Sequence, residues 1–93
     1  MAITRDSRHI RMTAVNDTVP DTLILTSLTL VVTGGTIGGA FKIVDTDDSI
    51  IAEGVVEAAS QNIDCLGGIE IRVQGMKIVT MPAGTAYLLA GFR

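Results

Sequence analysis

A chain of 93 residues with a single cysteine and a formal charge of −3 excludes an internal disulfide, a thiol-rich metal site and a strongly basic nucleic-acid surface. Hydrophobic residues make up 47 % and charged residues only 18 %, with one tyrosine, two phenylalanines and no tryptophan. One domain of this composition has much aliphatic surface for its size, and part of that surface is expected in contacts between subunits.

The charge is unevenly spread. Arg5, Arg8 and Arg11 against Asp6 give the first eleven residues +2, whereas Lys42, Arg72, Lys77 and Arg93 against nine acids give the remainder −5. Residues 1–7 therefore read as a flexible basic arm and 8–93 as one domain, an arrangement suited to head-to-tail docking of like subunits or to docking of the arm on an acidic neighbour, the alternative being a solvated, frayed N-terminus. The start MAITRDSRHIRM has no apolar leader core, and no run approaches the roughly 18 apolar residues of a membrane helix, so synthesis in the cytoplasm and no membrane partner are expected.

From Arg8 the pattern alternates, with Ile10, Met12 and Ala14 on one face and His9, Arg11 and Thr13 on the other, as in a half-buried strand. Asn16, Asp17, Pro20 and Asp21 read as a turn-rich link. The stretch from Thr22 to Val56 then organises the chain as a β-meander. Leu23 and Leu25 share one parity, but Leu28, Leu30 and Val32 have the other. A strand that changes phase at Thr26 and Ser27 needs a bulge there, the device by which one long strand bends between two sheets.

Beyond the glycine cluster, Phe41 and Ile43 oppose Lys42 and Val44. Beyond the acidic cluster, Ile50, Ala52 and Val56 oppose Glu53 and Glu57. Gly54 and adjacent valines argue against a helix over Ala52–Gln61, and strand followed by loop is expected. Asn62–Gly68 reads as a loop or short edge segment, and Ile69, Ile71 and Val73 as a clear strand. Gly75 punctuates before Met76–Thr80, and Pro82, Ala83 and Gly84 turn the chain into Thr85–Phe92, whose two faces are both largely apolar. Seven to nine short strands separated by turn signals predict an all-β fold, an antiparallel β-sandwich or a small jelly-roll or barrel.

No motif carries catalysis. In TGGTIGG, Gly34 and Gly39 have phosphate-loop spacing, but Ala40 stands where a lysine is required and a strand follows instead of a helix, so a hairpin loop with positive φ is expected. Asp45, Asp47 and Asp48 miss the calcium-loop register, because Ile50 and Val56 occupy its glycine and glutamate positions, and read as a β-turn. His9 and Cys65 are each solitary. Arg72, Gln74, Lys77, Asn62 and Tyr87 could meet sugar or nucleic acid, but the acidic body and scarce aromatics oppose both. No enzyme activity, cofactor or metal is expected.

The segments Gln74–Arg93 (QGMKIVTMPAGTAYLLAGFR) and Leu28–Asp48 (LTLVVTGGTIGGAFKIVDTDD) resemble small β-sandwich or jelly-roll structural proteins of tailed-phage virions. The resemblance implies a subunit of the virion, on the capsid surface in preference to the tail. There it would decorate or cement the shell between capsomers, self-associate (as a trimer by preference) and bind the major capsid protein or another virion protein. A receptor- or carbohydrate-binding module of a tail or fibre is the alternative. The expected contacts are Arg5, Arg8 and Arg11 in the arm and Tyr87, Leu89 and Phe92 on the last strand. Deleting residues 1–11 is expected to abolish shell binding and leave the fold intact.

Overall fold

The computed structural model describes residues 3–6, 8–82 and 85–93. Its strands are β1 (Ile3–Arg5), β2 (His9–Met12), β3 (Thr18–Thr33), β4 (Ala40–Val44), β5 (Ile50–Val55), β6 (Gln61–Asp64), β7 (Ile71–Thr80) and β8 (Thr85–Phe92). They form one eight-stranded antiparallel sheet in the order β1-β2-β8-β3-β7-β4-β5, with β6 also paired to β3. The described residues contain no helix, and the fold is all-β and sandwich-like, as the strand pattern predicts.

The long strand β3 holds this sheet together because its sequence changes phase. Leu23 and Leu25 are buried, and so are Leu28, Leu30 and Val32 on the opposite parity. The register with β8 shifts between Leu25 and Ser27, so Thr26 is the extra residue of a bulge. On one side of the bulge β3 pairs with β7, from Thr18 to Leu25. On the other it pairs with β8 and β6. Core side chains from both halves, among them Ile10, Met12 and Leu88 on one and Ile43, Met76 and Ile78 on the other, join a single buried cluster.

Other irregularities shift phase. At Gly75 the buried parity of β7 passes from Val73 to Met76 and Ile78. Gly75 has φ 85°, and a Cβ there would lie 2.6 Å from the Val19 carbonyl oxygen and 2.7 Å from Thr46 Cγ2. Glycine therefore keeps β7 continuous where punctuation is expected, by admitting β3 and the β4–β5 turn to its backbone. The second shift, between Ile43 and Val44 on β4, buries Val44 and leaves Ile50 53 % exposed, against the expected alternation. Opposite Gly75 the register of β3 shifts between Val19 and Thr22, which accommodates Pro20, a residue with no N–H to give the ladder. The link before β3 is thus shorter than expected: Pro20 and Asp21 belong to the strand.

What folds the shortened link is Asp17, which is fully buried. Its Oδ2 accepts the N–H groups of Thr13 (3.2 Å) and Ala14 (3.1 Å). Its backbone is anchored to β7, where the Ile78 N–H donates to the Asp17 carbonyl at 3.2 Å and the Asn16 N–H to the Ile78 carbonyl at 2.8 Å. A short carboxylate can bond the backbone a few residues away, and here it does so inside the protein.

At the N-terminus the described part of the expected arm is an edge strand: Ile3, Thr4 and Arg5 pair with Met12, Arg11 and Ile10. Residues 1, 2 and 7 lie outside the described residues, as does most of the turn at Pro82, Ala83 and Gly84. Ile10 and Met12 are fully buried, and β2 separates β1 from β8. Removal of residues 1–11 therefore reaches the core, which corrects the expectation that such a deletion spares the fold. Ile69, expected in one strand with Ile71 and Val73, lies just before β7 and is 66 % exposed.

Candidate interaction surface

The six residues expected at contacts all lie in the β1–β2–β8 unit, on three different parts of it. Outward residues of neighbouring strands come into rows by register. Thr4 opposes Arg11, Arg11 opposes Leu89, Leu89 opposes Thr29, and Thr29 opposes Asp64. In the next row Tyr87 opposes Val31, which opposes Asn62. The Arg11 guanidinium lies over the Tyr87 ring at 4.1 Å from its centroid, diagonally across this face. Leu89, 36 % exposed, stands beside that pair. A flat cation–aromatic pair flanking an exposed leucine is a rigid, partly apolar surface.

Arg5 and Phe92 lie elsewhere. The Arg5 guanidinium is 5.0 Å from the Phe92 ring centroid and bonds Asp21 Oδ2 at 2.6 Å. Both groups of that ion pair are substantially exposed, so it contributes at most about 1 kcal/mol and mainly fixes where β1 rests. Phe92 packs its ring partly against the core.

Arg8 belongs to a third feature. Asp6 makes the turn between β1 and β2: its Oδ1 accepts the N–H groups of Arg8 (2.8 Å) and His9 (2.7 Å), which hold its carboxyl below the ordinary aspartate range. The Arg8 carbonyl in turn accepts the Phe92 N–H at 2.9 Å. These bonds set Arg8 at the rim of an open cleft of about 520 Å³ lined by Arg8, His9, Thr26, Gly91, Phe92 and Arg93. Arg93 makes a two-pronged pair with Glu70, both contacts 3.0 Å. Sequence reasoning misses His9, Thr26 and Arg93 as members of one site, although the phase slip at Thr26 is the signal that a bulge shapes this place.

The other candidates are consumed by structure. The glycine segment does not form a hairpin: it joins β3 to β4, which do not pair. Its amides are engaged, Gly35 to the Ala59 carbonyl (2.7 Å), Gly38 to Val56 (2.7 Å) and Gly39 to Thr36 (3.0 Å), so they are not turned toward an anion. In the acidic turn Asp45 Oδ1 accepts the N–H groups of Asp47 (2.9 Å) and Ser49 (3.0 Å), and Asp48 has φ 64°. Among the described residues no group of three or more His, Cys, Asp or Glu is placed to hold a metal. His9 and Cys65 are separated by β8 and β3. The Cys65 thiol is half-buried, which pushes its pKa up, and its Sγ faces the Ile63 carbonyl at 3.7 Å. Arg72 and Lys77 lie on β7, away from Tyr87 on β8.

No family model, curated protein or solved structure matches the chain.

Proposed function

We propose that the chain is a non-enzymatic structural subunit of a virion, a capsid decoration or cement protein that self-associates and binds between capsomers. The observation that carries this reading is the outward face of β2, β8 and β3, where Arg11 is stacked on Tyr87 beside the exposed Leu89. Tyrosine and arginine are enriched at protein interfaces because they bury much area at low entropic cost, and a pre-stacked pair has little left to lose on binding. The same stacking opposes the carbohydrate-binding alternative, since one face of the Tyr87 ring, where a sugar would lie, is covered by the guanidinium. A subunit of this kind needs no pocket chemistry. Assembly also adds burial to a small domain whose own stability is modest.

Leu89→Asp is expected to weaken shell binding by at least about 2 kcal/mol, or roughly thirtyfold, because it buries a carboxylate in the centre of the contact. The check is co-sedimentation with virion shells assembled without the protein, alongside a thermal melt showing that the variant folds. Failure of the wild-type protein to pellet with shells would overturn the shell role. Pelleting of Leu89→Asp at wild-type occupancy would remove this face from it.

A further inference from the structure

We propose that the Arg8 cleft is the receptor for the Asp47–Asp48 turn of a second copy of the chain, making a head-to-tail contact between subunits; this rests on the self-association proposed above. Two arginines, Arg8 and Arg93, line the cleft of an otherwise acidic protein, with His9 beside them. Three arginines near it are engaged: Arg5 with Asp21, Arg93 with Glu70, and Arg11 on Tyr87. Arg8 is exposed and its guanidinium has no ion-pair partner among the described residues. A planar fork of donors in that state is matched by a carboxylate.

The walls favour the fit. Gly91 lets β8 approach the bulge, since a Cβ there would be 2.5 Å from Ser27 Oγ and 3.1 Å from Thr26 Oγ1. Phe92 also lines the cleft.

The ligand is on the same chain. Asp45, Asp47 and Asp48 form its densest acidic group, at the tip of the β4–β5 hairpin. Asp45 is occupied with the turn's own amides, whereas the Asp47 and Asp48 carboxylates are exposed and make no hydrogen bond or ion pair among the described residues. Thr46 docks the turn on β7 through its N–H, 3.1 Å from the Gln74 carbonyl, and through its hydroxyl on the same oxygen. The tip is thus presented rigidly, which lowers the entropy lost on docking. No ion pair joins it to Arg8 within one chain, so the complementarity is met between copies. A contact of two different patches is heterologous, and it closes into a ring or continues as a filament according to its rotation.

The test is a charge exchange followed by sedimentation velocity at low and high salt. Arg8→Glu leaves the backbone bonds of Arg8 in place. Asp47→Arg with Asp48→Asn reverses the tip and keeps a residue tolerant of positive φ at position 48. Each variant is expected to associate at least tenfold more weakly than wild type, and the combination of all three substitutions to recover to within about threefold, because like charges repel and the exchanged pair attracts. Wild-type association should weaken as salt rises. If Arg8→Glu or the tip variant associates as wild type does, or if the combined variant stays apart, the cleft contact is overturned while self-association stands. A wild-type chain that never associates overturns self-association itself.

Discussion

Deletion of residues 1–11 is expected to unfold the protein under conditions where deletion of residues 1–5 does not. The longer deletion removes β1, most of β2 and the fully buried Ile10, and leaves Leu89–Gly91 of β8 without their partners. Losing a buried isoleucine from a packed core costs about 2–5 kcal/mol, and the lost ladder and newly exposed apolar surface add to it. That sum rivals the whole stability of a small domain, about 5–15 kcal/mol. Of the described residues the shorter deletion takes the exposed edge strand β1 with its pairing to β2, the Arg5–Phe92 contact and the solvated Arg5–Asp21 pair, about 1–2 kcal/mol. Denaturant titration of both forms checks this: a wild-type midpoint for the longer deletion would mean that β2 is not part of the core. Binding is for this reason better probed by surface substitutions than by truncation.

Gly75→Ala is expected to destabilise by about 3 kcal/mol or more, lowering the melting temperature by roughly 12–24 °C. Two effects combine. At φ 85° an L-residue is strained, and the new Cβ would meet the Val19 carbonyl oxygen at 2.6 Å, a backbone atom that cannot rotate away. Gly67→Ala separates them, because Gly67 has φ 62° with nothing within 4 Å of its Cβ position. It should cost about 1 kcal/mol, the backbone strain alone. Equal melting temperatures for the two variants would show that β3, β7 and the β4–β5 turn do not converge at Gly75.

The bend of β3 was legible because parity is a strict signal: Leu25 and Leu28 cannot both face the core without an extra residue between them, and Thr26 is that residue. Alternation likewise placed Ile10 and Met12 on the buried face of their strand, whereas both faces of the last strand read as apolar and only the fold shows that Leu88 and Ala90 are the buried ones. Partnership between strands was not legible. Whether TGGTIGG closes a hairpin or crosses between strands depends on contacts far away in the chain, and periodicity is silent about those. The role of Asp17 was hidden for a similar reason, since the sequence shows a turn residue and only the fold buries it. At the candidate site, the grouping of Arg11, Tyr87 and Leu89 follows from register between β2 and β8. The sequence contains both strands but not their alignment. His9, Thr26 and Arg93 meet through a bulge, a turn and a strand end, three irregularities that no periodic pattern encodes.

Self-association of the chain is tested most directly by the solution mass of the wild type, measured by light scattering across a concentration series at low salt. The mass is expected to rise with concentration from the 9.7 kDa monomer to a defined multiple, with three copies the expected number, and to fall again as salt is added. A mass of 9.7 kDa at every concentration and salt would contradict self-association.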